Sequence, residues 1–248
     1  MMAKINRLLV LTIFLSLFSE ANAEAAGFSF DLGTGPDLTS RIVQMFGLIT
    51  ILSLAPSILI MVTSFTRIIV VFSFLRSAIG IQQSPPNSVM ISLALFLTAF
   101  IMSPTFEKAY EVGVVPLMEE KITERQALEK MIDPFREFMS KHVRQQDLEL
   151  FLNIAKADHN KVAYENSSLV VLIPAFMISE LKKAFEIGFL LFIPFLMIDL
   201  LISAILMAMG MMMLPPVMIS LPFKIIFFIL IDGWYMICGS LVRSYGGG

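Results

Sequence analysis

Met209-Gly210-Met211-Met212-Met213-Leu214-Pro215-Pro216 is the stretch on which the reading of this chain turns. Successive residues of an α-helix point about 100° apart, so three consecutive methionines cannot share one helical face. Gly210 before the triplet and the Pro215-Pro216 pair after it end a helix and open a loop. In a loop, all three thioethers can project to one side. Methionine is unbranched, apolar and conformationally soft, so it fills irregular gaps without imposing a shape. A ring of such loops around an axis would make a deformable apolar seal. The competing reading is plainer: core or lipid-facing methionines in a chain that holds 18 of them.

The composition sets the class. Of 248 residues, 57% are hydrophobic and 15% charged, with a mean hydropathy of +0.82. Soluble domains carry about 45–50% apolar and about 25% charged residues, so this is a membrane-class chain. A net charge of −2 gives no basis for nucleic-acid binding. Cys238 is the single cysteine, which excludes an intrachain disulfide and a cysteine-based metal cluster. His142 and His159 lack the spacing of a helical metal pair, and neither a metal nor a cofactor is expected.

Residues 1–23 read as a cleaved secretory signal. Lys4 and Arg7 give a positive start, Leu8–Phe18 is an apolar run too short to span a bilayer comfortably, and Ala21-Asn22-Ala23 is an A-x-A cleavage site. Cleavage would leave Glu24 first, on the periplasmic side of a Gram-negative type of cell. Residues 24–103 then supply a small polar lead and a first apolar helical hairpin. No charge lies between Arg41 and Arg67, and a helix over that gap is long enough to cross the hydrocarbon core, with a kink expected at Pro56. Arg67 and Arg76, with no acid before Pro86, place the next segment on the cytoplasmic side. Pro85-Pro86-Asn87 marks a turn and a restart, and Asn87–Ser103 is a second, short apolar helix.

Residues 104–165 hold most of the acids and read as a small charged domain of amphipathic helices, returned to the periplasm by two crossings. Thr123-Glu124-Arg125-Gln126 is a capping-box pattern, and Asp133-Pro134 reads as an N-cap followed by proline at the first helical position. Phe135, Phe138, Met139 and Val143 share one face. Asp147 can cap a following helix whose face is Leu148, Phe151, Leu152 and Ala155. These faces are narrow, so the domain is expected to complete its core against copies of itself. Residues 166–248 form a second apolar hairpin that carries the methionine loop. Pro174 interrupts its start, a charged run follows at Ser179–Glu186, and Asp199 and Asp232 sit in otherwise apolar helices. Hydropathy alone gives four spans. Acids at bilayer depth are costly and usually face protein or a water-filled path, which favours helices buried in an assembly.

Glu180 and Lys224 stand at the edges of apolar helices. Burying either alone costs several kcal/mol, so each needs a partner. The candidates are each other, within or between subunits, or Lys183 for Glu180 and a membrane interface for the Lys224 ammonium. Nothing assembles into a catalytic site. Both histidines lie in the charged domain, Asp199 and Asp232 lack an aspartyl-protease context, and no phosphate-binding loop exists. One rival reading is a small-solute or ion transporter using Asp199 and Asp232 for ion coupling, although no inverted repeat supports it. An intramembrane enzyme ranks behind that.

The sequence resembles the FliP family of flagellar type III export proteins. The residues that carry the resemblance are Arg67-Ile68-Ile69-Val70-Val71-Phe72-Ser73-Phe74-Leu75-Arg76, Pro85-Pro86-Asn87, Pro174–Lys182, Ala184–Phe189, Pro194–Leu200, Met209–Pro216, Leu221-Pro222-Phe223-Lys224 and Asp232-Gly233-Trp234. The resemblance implies an all-α subunit of a protein-export gate in the inner membrane and flagellar basal body, with a large periplasmic portion. It implies a ring, expected to be pentameric, completed by FliQ-like and FliR-like subunits into a helical stack through which unfolded proteins leave the cytoplasm. In that setting Met211, Met212 and Met213 match a methionine gasket, Glu180 and Lys224 match positions that help subunits pack, and no enzymatic activity is implied.

Overall fold

The computed structural model describes residues 37–246 apart from 82, 156–167 and 212. The signal segment 1–23 and the middle methionine of the triplet, Met212, lie outside the described residues. All regular structure among the described residues is helical: α1 (Asp37–Met61), α2 (Phe65–Ile79), α3 (Asn87–Ala109), a π-turn (Tyr110–Val114), α4 (Val115–Met118), α5 (Glu124–His142), α6 (Gln145–Ile154), α7 (Leu169–Ala208), α8 (Pro216–Leu230) and α9 (Gly233–Arg243). The chain divides into two compact units, 1–53 and 54–248, with the boundary inside α1. Asn87–Met118 and Leu169–Ala208 are each long and apolar enough to cross a membrane. Helices α8 and α9 form a further apolar pair, bent by 60° at their junction.

The apolar stretch from Arg41 to Arg67 is not one helix. It breaks at Val62–Ser64, beyond Pro56. The Thr63 hydroxyl donates to the Ile60 carbonyl at 3.3 Å and accepts from the Phe65 amide at 3.4 Å, while the Thr66 hydroxyl also reaches Ile60. Such local side-chain bonds offer the backbone an alternative to the helical ladder. The break starts α2 inside the protein: Ile68, Val71, Phe72 and Leu75 are buried, and so is Arg67. Arg67 is therefore a core residue rather than the flanking charge that its place at the end of the apolar stretch predicts.

Helix α3 runs through Pro104, so the apolar helix does not stop at Ser103. Beyond Ala109 the ladder widens, and the Val115 amide bonds back to the Tyr110 carbonyl. Pro116 follows at once. It has no N–H to give and its ring crowds the preceding turn, a conflict that one π-turn relieves. Gly113 in that turn lies against α5, where an added Cβ would stand 2.2 Å from Met131 Cγ. Thr123 and Gln126 close the expected capping box at the start of α5. Asp133-Pro134 does not begin a helix: Pro134 lies inside α5, and Asp133 pairs with Arg136 one turn on. Asp147 likewise sits in the first turn of α6, with Arg144 at the N-cap.

The 40-residue α7 is the spine. Its first turns, through Val171, Leu172, Ala175 and Phe176, pack with Met139 of α5, Leu148 and Leu152 of α6, and Val62. Further along, Ala184 and Phe195 pack with α2, α3, α8 and α9 in a second core around Phe72, Leu75, Ala94, Phe228 and Leu241. At Gly188 the helices α2 and α7 meet so closely that a Cβ would stand 2.4 Å from the Phe74 ring. Glu180 falls on α7 between the two cores.

Candidate functional site

The seam between the cores is polar and closed. Glu180 is 0% exposed and Arg67 is 1% exposed. Arg67 grips the carboxylate with both faces of its fork: Nε donates to Oε2 at 2.8 Å and Nη2 donates to Oε1. Arg67 Nη1 donates to the Ser244 hydroxyl at 3.0 Å, and the Tyr245 hydroxyl donates to Glu180 Oε2. The guanidinium carbon also lies 3.8 Å from the Tyr245 ring centroid, and Phe138 of α5 stacks against the same tyrosine. Bidentate arginine–carboxylate pairs bond strongly and specifically, and here both carboxylate oxygens and all three guanidinium nitrogens have a partner. Burial, then the Glu180 charge, drive the Tyr245 phenol far above its ordinary range, so it remains a donor.

Two smaller polar contacts flank this cluster. Arg144 Nε and Nη2 donate to Asp147 Oδ2 and Oδ1 at 2.8 and 2.7 Å, and the Ser179 hydroxyl donates to Oδ2 at 2.6 Å. Burial pushes the Asp147 carboxyl up, but the bonds from Arg144 and Ser179 outweigh it and leave the group below its ordinary range. Lys183 donates to the His142 carbonyl at 2.7 Å, so it is not the partner of Glu180. The His142 ring bonds through Nδ1 to the Phe138 carbonyl at 2.8 Å, which requires the proton on Nδ1 because a carbonyl only accepts. Burial, first among several influences, lowers its pKa.

Lys224 finds another partner. Its Nζ donates to Asp199 Oδ2 at 2.6 Å and to the Ala78 carbonyl at 3.3 Å, and the Ser220 hydroxyl donates to Asp199 Oδ1 at 2.5 Å. Within the subunit Glu180 and Lys224 do not pair with each other, one of the partnerships their positions permit; Arg67 holds Glu180 and Asp199 holds Lys224. Nor is Asp232 a buried acid. It is exposed at the α8–α9 bend in the left-handed region, φ 49°, a conformation aspartate tolerates better than most residues.

The methionine segment forms a tight exposed turn between α7 and α8. The Met211 amide bonds to the Leu206 carbonyl and the Gly210 amide to the Met207 carbonyl, each at 3.0 Å, with Gly210 at φ 74°. These are the paired bonds of a Schellman cap, and glycine fits because the left-handed position penalises a Cβ. The Leu214 amide then closes back on the Met211 carbonyl at 3.3 Å, and α8 opens at Pro216. Met213 is 98% exposed and Met211 46%. Neither is a core residue of the subunit, so of the plainer reading only lipid-facing methionines remain beside the seal. Among the described residues no group of side chains could hold a metal ion.

A profile described as the FliP family matches residues 48–241, most of the chain. The chain belongs to the FliP family. Relatives named flagellar biosynthetic protein FliP include one from Caulobacter vibrioides, 55% identical over 95% of this chain and 88% of its own length. One from Agrobacterium fabrum is 49% identical over 97% of this chain and 99% of its own. One from Bacillus subtilis is 53% identical over 85% of this chain and 95% of its own. The sequence motifs that carried the resemblance, from Arg67 to Asp232, fall within the matched span of this FliP-family chain. Arg67 and the Pro174–Lys182 motif supply both halves of the buried ion pair.

Proposed function

We propose that this chain is a structural subunit of the flagellar type III protein export gate and that its methionine turn seals the pore. Several copies surround an axis, with FliQ-like and FliR-like subunits completing the stack, and unfolded flagellar proteins pass through it. The observation that carries this reading is the exposed turn itself. A rigid cap of paired backbone bonds presents Met211 and Met213 away from the subunit core, on a chain whose close relatives are named for flagellar biosynthesis. Thioether side chains have no strong hydrogen-bonding groups, so clustered copies exclude water and ions by dewetting. Their soft rotamers let a passing chain displace them at low cost. The exposed apolar stripe of α7, including Phe185, Phe189, Leu196 and Leu200, needs cover from neighbouring subunits or lipid. Residues 104–165 form the charged part of the periplasmic portion in this arrangement. The chemistry is that of a scaffold and gate, not of an enzyme.

The transporter alternative relied on Asp199 and Asp232 as ion-coupling acids. Asp199 is engaged by Lys224 and Ser220, and Asp232 lies at an exposed bend, which supports the gate instead. The test is co-purification from membranes with an affinity-tagged chain. A ring containing small hydrophobic FliQ-like and FliR-like partners, together with restored flagellin secretion in a deletion strain, is the expected result. A lone monomer that moves small solutes would overturn the proposal.

A further inference from the structure

We infer that Asp199 and Lys224 form the strut that sets the angle of the α7–α8 hairpin, and so the aperture at the methionine turn. This inference rests on the gate reading of that turn. Apolar helix faces attract without direction, so a hairpin of two apolar helices can roll or slide at little cost. The polar contacts between α7 and α8 among the described residues both end on Asp199. Ser220 and Lys224 stand one helical turn apart on α8 and meet the two oxygens of that single carboxylate. This fixes rotation as well as spacing, because a bidentate contact admits one register.

The third contact ties the strut to a firm frame. Helix α2 is locked onto α7 at one end by the Arg67–Glu180 pair and further along by the close approach of Phe74 to Gly188. Lys224 reaches the Ala78 carbonyl in the last turn of α2, where the helix dipole favours a cation. One ammonium thus ties α8 to both α2 and α7, beside the apolar contacts of Phe227 and Phe228 with Phe195. Lys224 is 5% exposed and carries the only side-chain cation on α8. The turn that holds Met211 and Met213 is the short link between the two arms that this strut spaces. Asp199 and Lys224 are accordingly positioning residues, acting on the seal through the hairpin.

The discriminating variant removes both charges at once, Asp199→Leu with Lys224→Met. Lys224 is buried and Asp199 half-buried, and apolar groups of similar volume at both positions keep the packing while the directional contact is lost. The assembled gate should form at the wild-type level on native gels, yet leak small ions severalfold more. Spin labels at Ala204 and Val217, in a Cys238→Ser background, should report a broader distance distribution across the hairpin. Ser220→Ala, which keeps the ion pair, should leak less than the double variant. A double variant that assembles, stays sealed and keeps a narrow distribution overturns the inference. Failure of the double variant to assemble also overturns it, since the pair would then act on folding rather than on geometry. A parallel gate with Met211, Met212 and Met213 all replaced by glycine separates the two claims. If that gate leaks and the strut variant does not, the strut fails alone; if that gate stays sealed, the gate reading itself fails.

Discussion

Removing one oxygen from Tyr245 is the smallest change that should loosen the seam between the two cores. Tyr245→Phe keeps the ring under Arg67 and against Phe138 but takes a donor from the buried Glu180 carboxylate. Hydrogen bonds to charged groups contribute about 1.5–3 kcal/mol, and the thermal midpoint of the solubilised subunit should fall accordingly. Arg67→Met should cost more, about 3–5 kcal/mol, because it strands the carboxylate without its cation. An unchanged midpoint for Tyr245→Phe would mean that the bond contributes nothing. His142 gives a pH dependence of known sign. Burial lowers its pKa from the ordinary 6.5, against the raising effects of the Phe138 carbonyl and Glu180 and with the lowering effects of Lys183 and Arg67. Its neutral form stabilises the fold above 6.5, and that contribution is lost as pH falls through the lowered value. Asp147 acts in the same direction at lower pH: its pKa lies below the ordinary 3.8, so its contribution is full above that value and is lost only as pH falls through the lowered pKa. Unfolding followed between neutral and mildly acidic pH should therefore lose stability in the wild type, and His142→Gln should flatten that slope.

Helix α7 packs closely against α2 at Gly188. At Gly188 an added side chain would enter the Phe74 ring, and overpacking of this kind costs about 1–3 kcal/mol. Gly188→Leu should lower the thermal midpoint and separate α2 from α7, whereas Gly47→Ala, with open space around it, should not lower it through a clash. The turn at Met209–Pro216 was legible because its signals are local: a glycine, a triplet that fits no helical face, and two prolines. The capping box at Thr123 and the apolar face of α5 were legible for the same reason. The continuity of α7 was not. Pro174 and the charged run around Glu180 argue locally for a break, but Glu180 and Lys183 find partners on α2 and at the end of α5. Those partners are 113 and 41 residues away in sequence, a distance over which no pattern rule operates. Tyr245 and Ser179 were missed likewise, since a single tyrosine or serine carries no spacing signal. Asp133-Pro134 misled in the opposite sense, a true N-terminal pattern absorbed into a helix that had already begun nine residues earlier at Glu124.

At the scale of the whole molecule, α7 alone is about 60 Å long at 1.5 Å per residue, against a hydrocarbon core of about 30 Å. An unbent helix of that length must project well beyond one bilayer face, or lie substantially within an assembly. The second alternative fits acids and lysines placed along its apolar course and a turn that presents methionines to open space. The N-terminal signal reading adds a simple check on orientation: mass spectrometry of the mature subunit should find Glu24 at its N-terminus, and an intact Met1 would reopen the topology. If the methionine turn closes a protein-export pore, ion conductance through membranes holding the assembled gate, with Met211, Met212 and Met213 replaced together by glycine, reads that closure. Assembly should match the wild type, and the leak of small ions should rise markedly. Poor assembly with no leak from the gates that do form would contradict that closure, because the methionines would then serve packing instead.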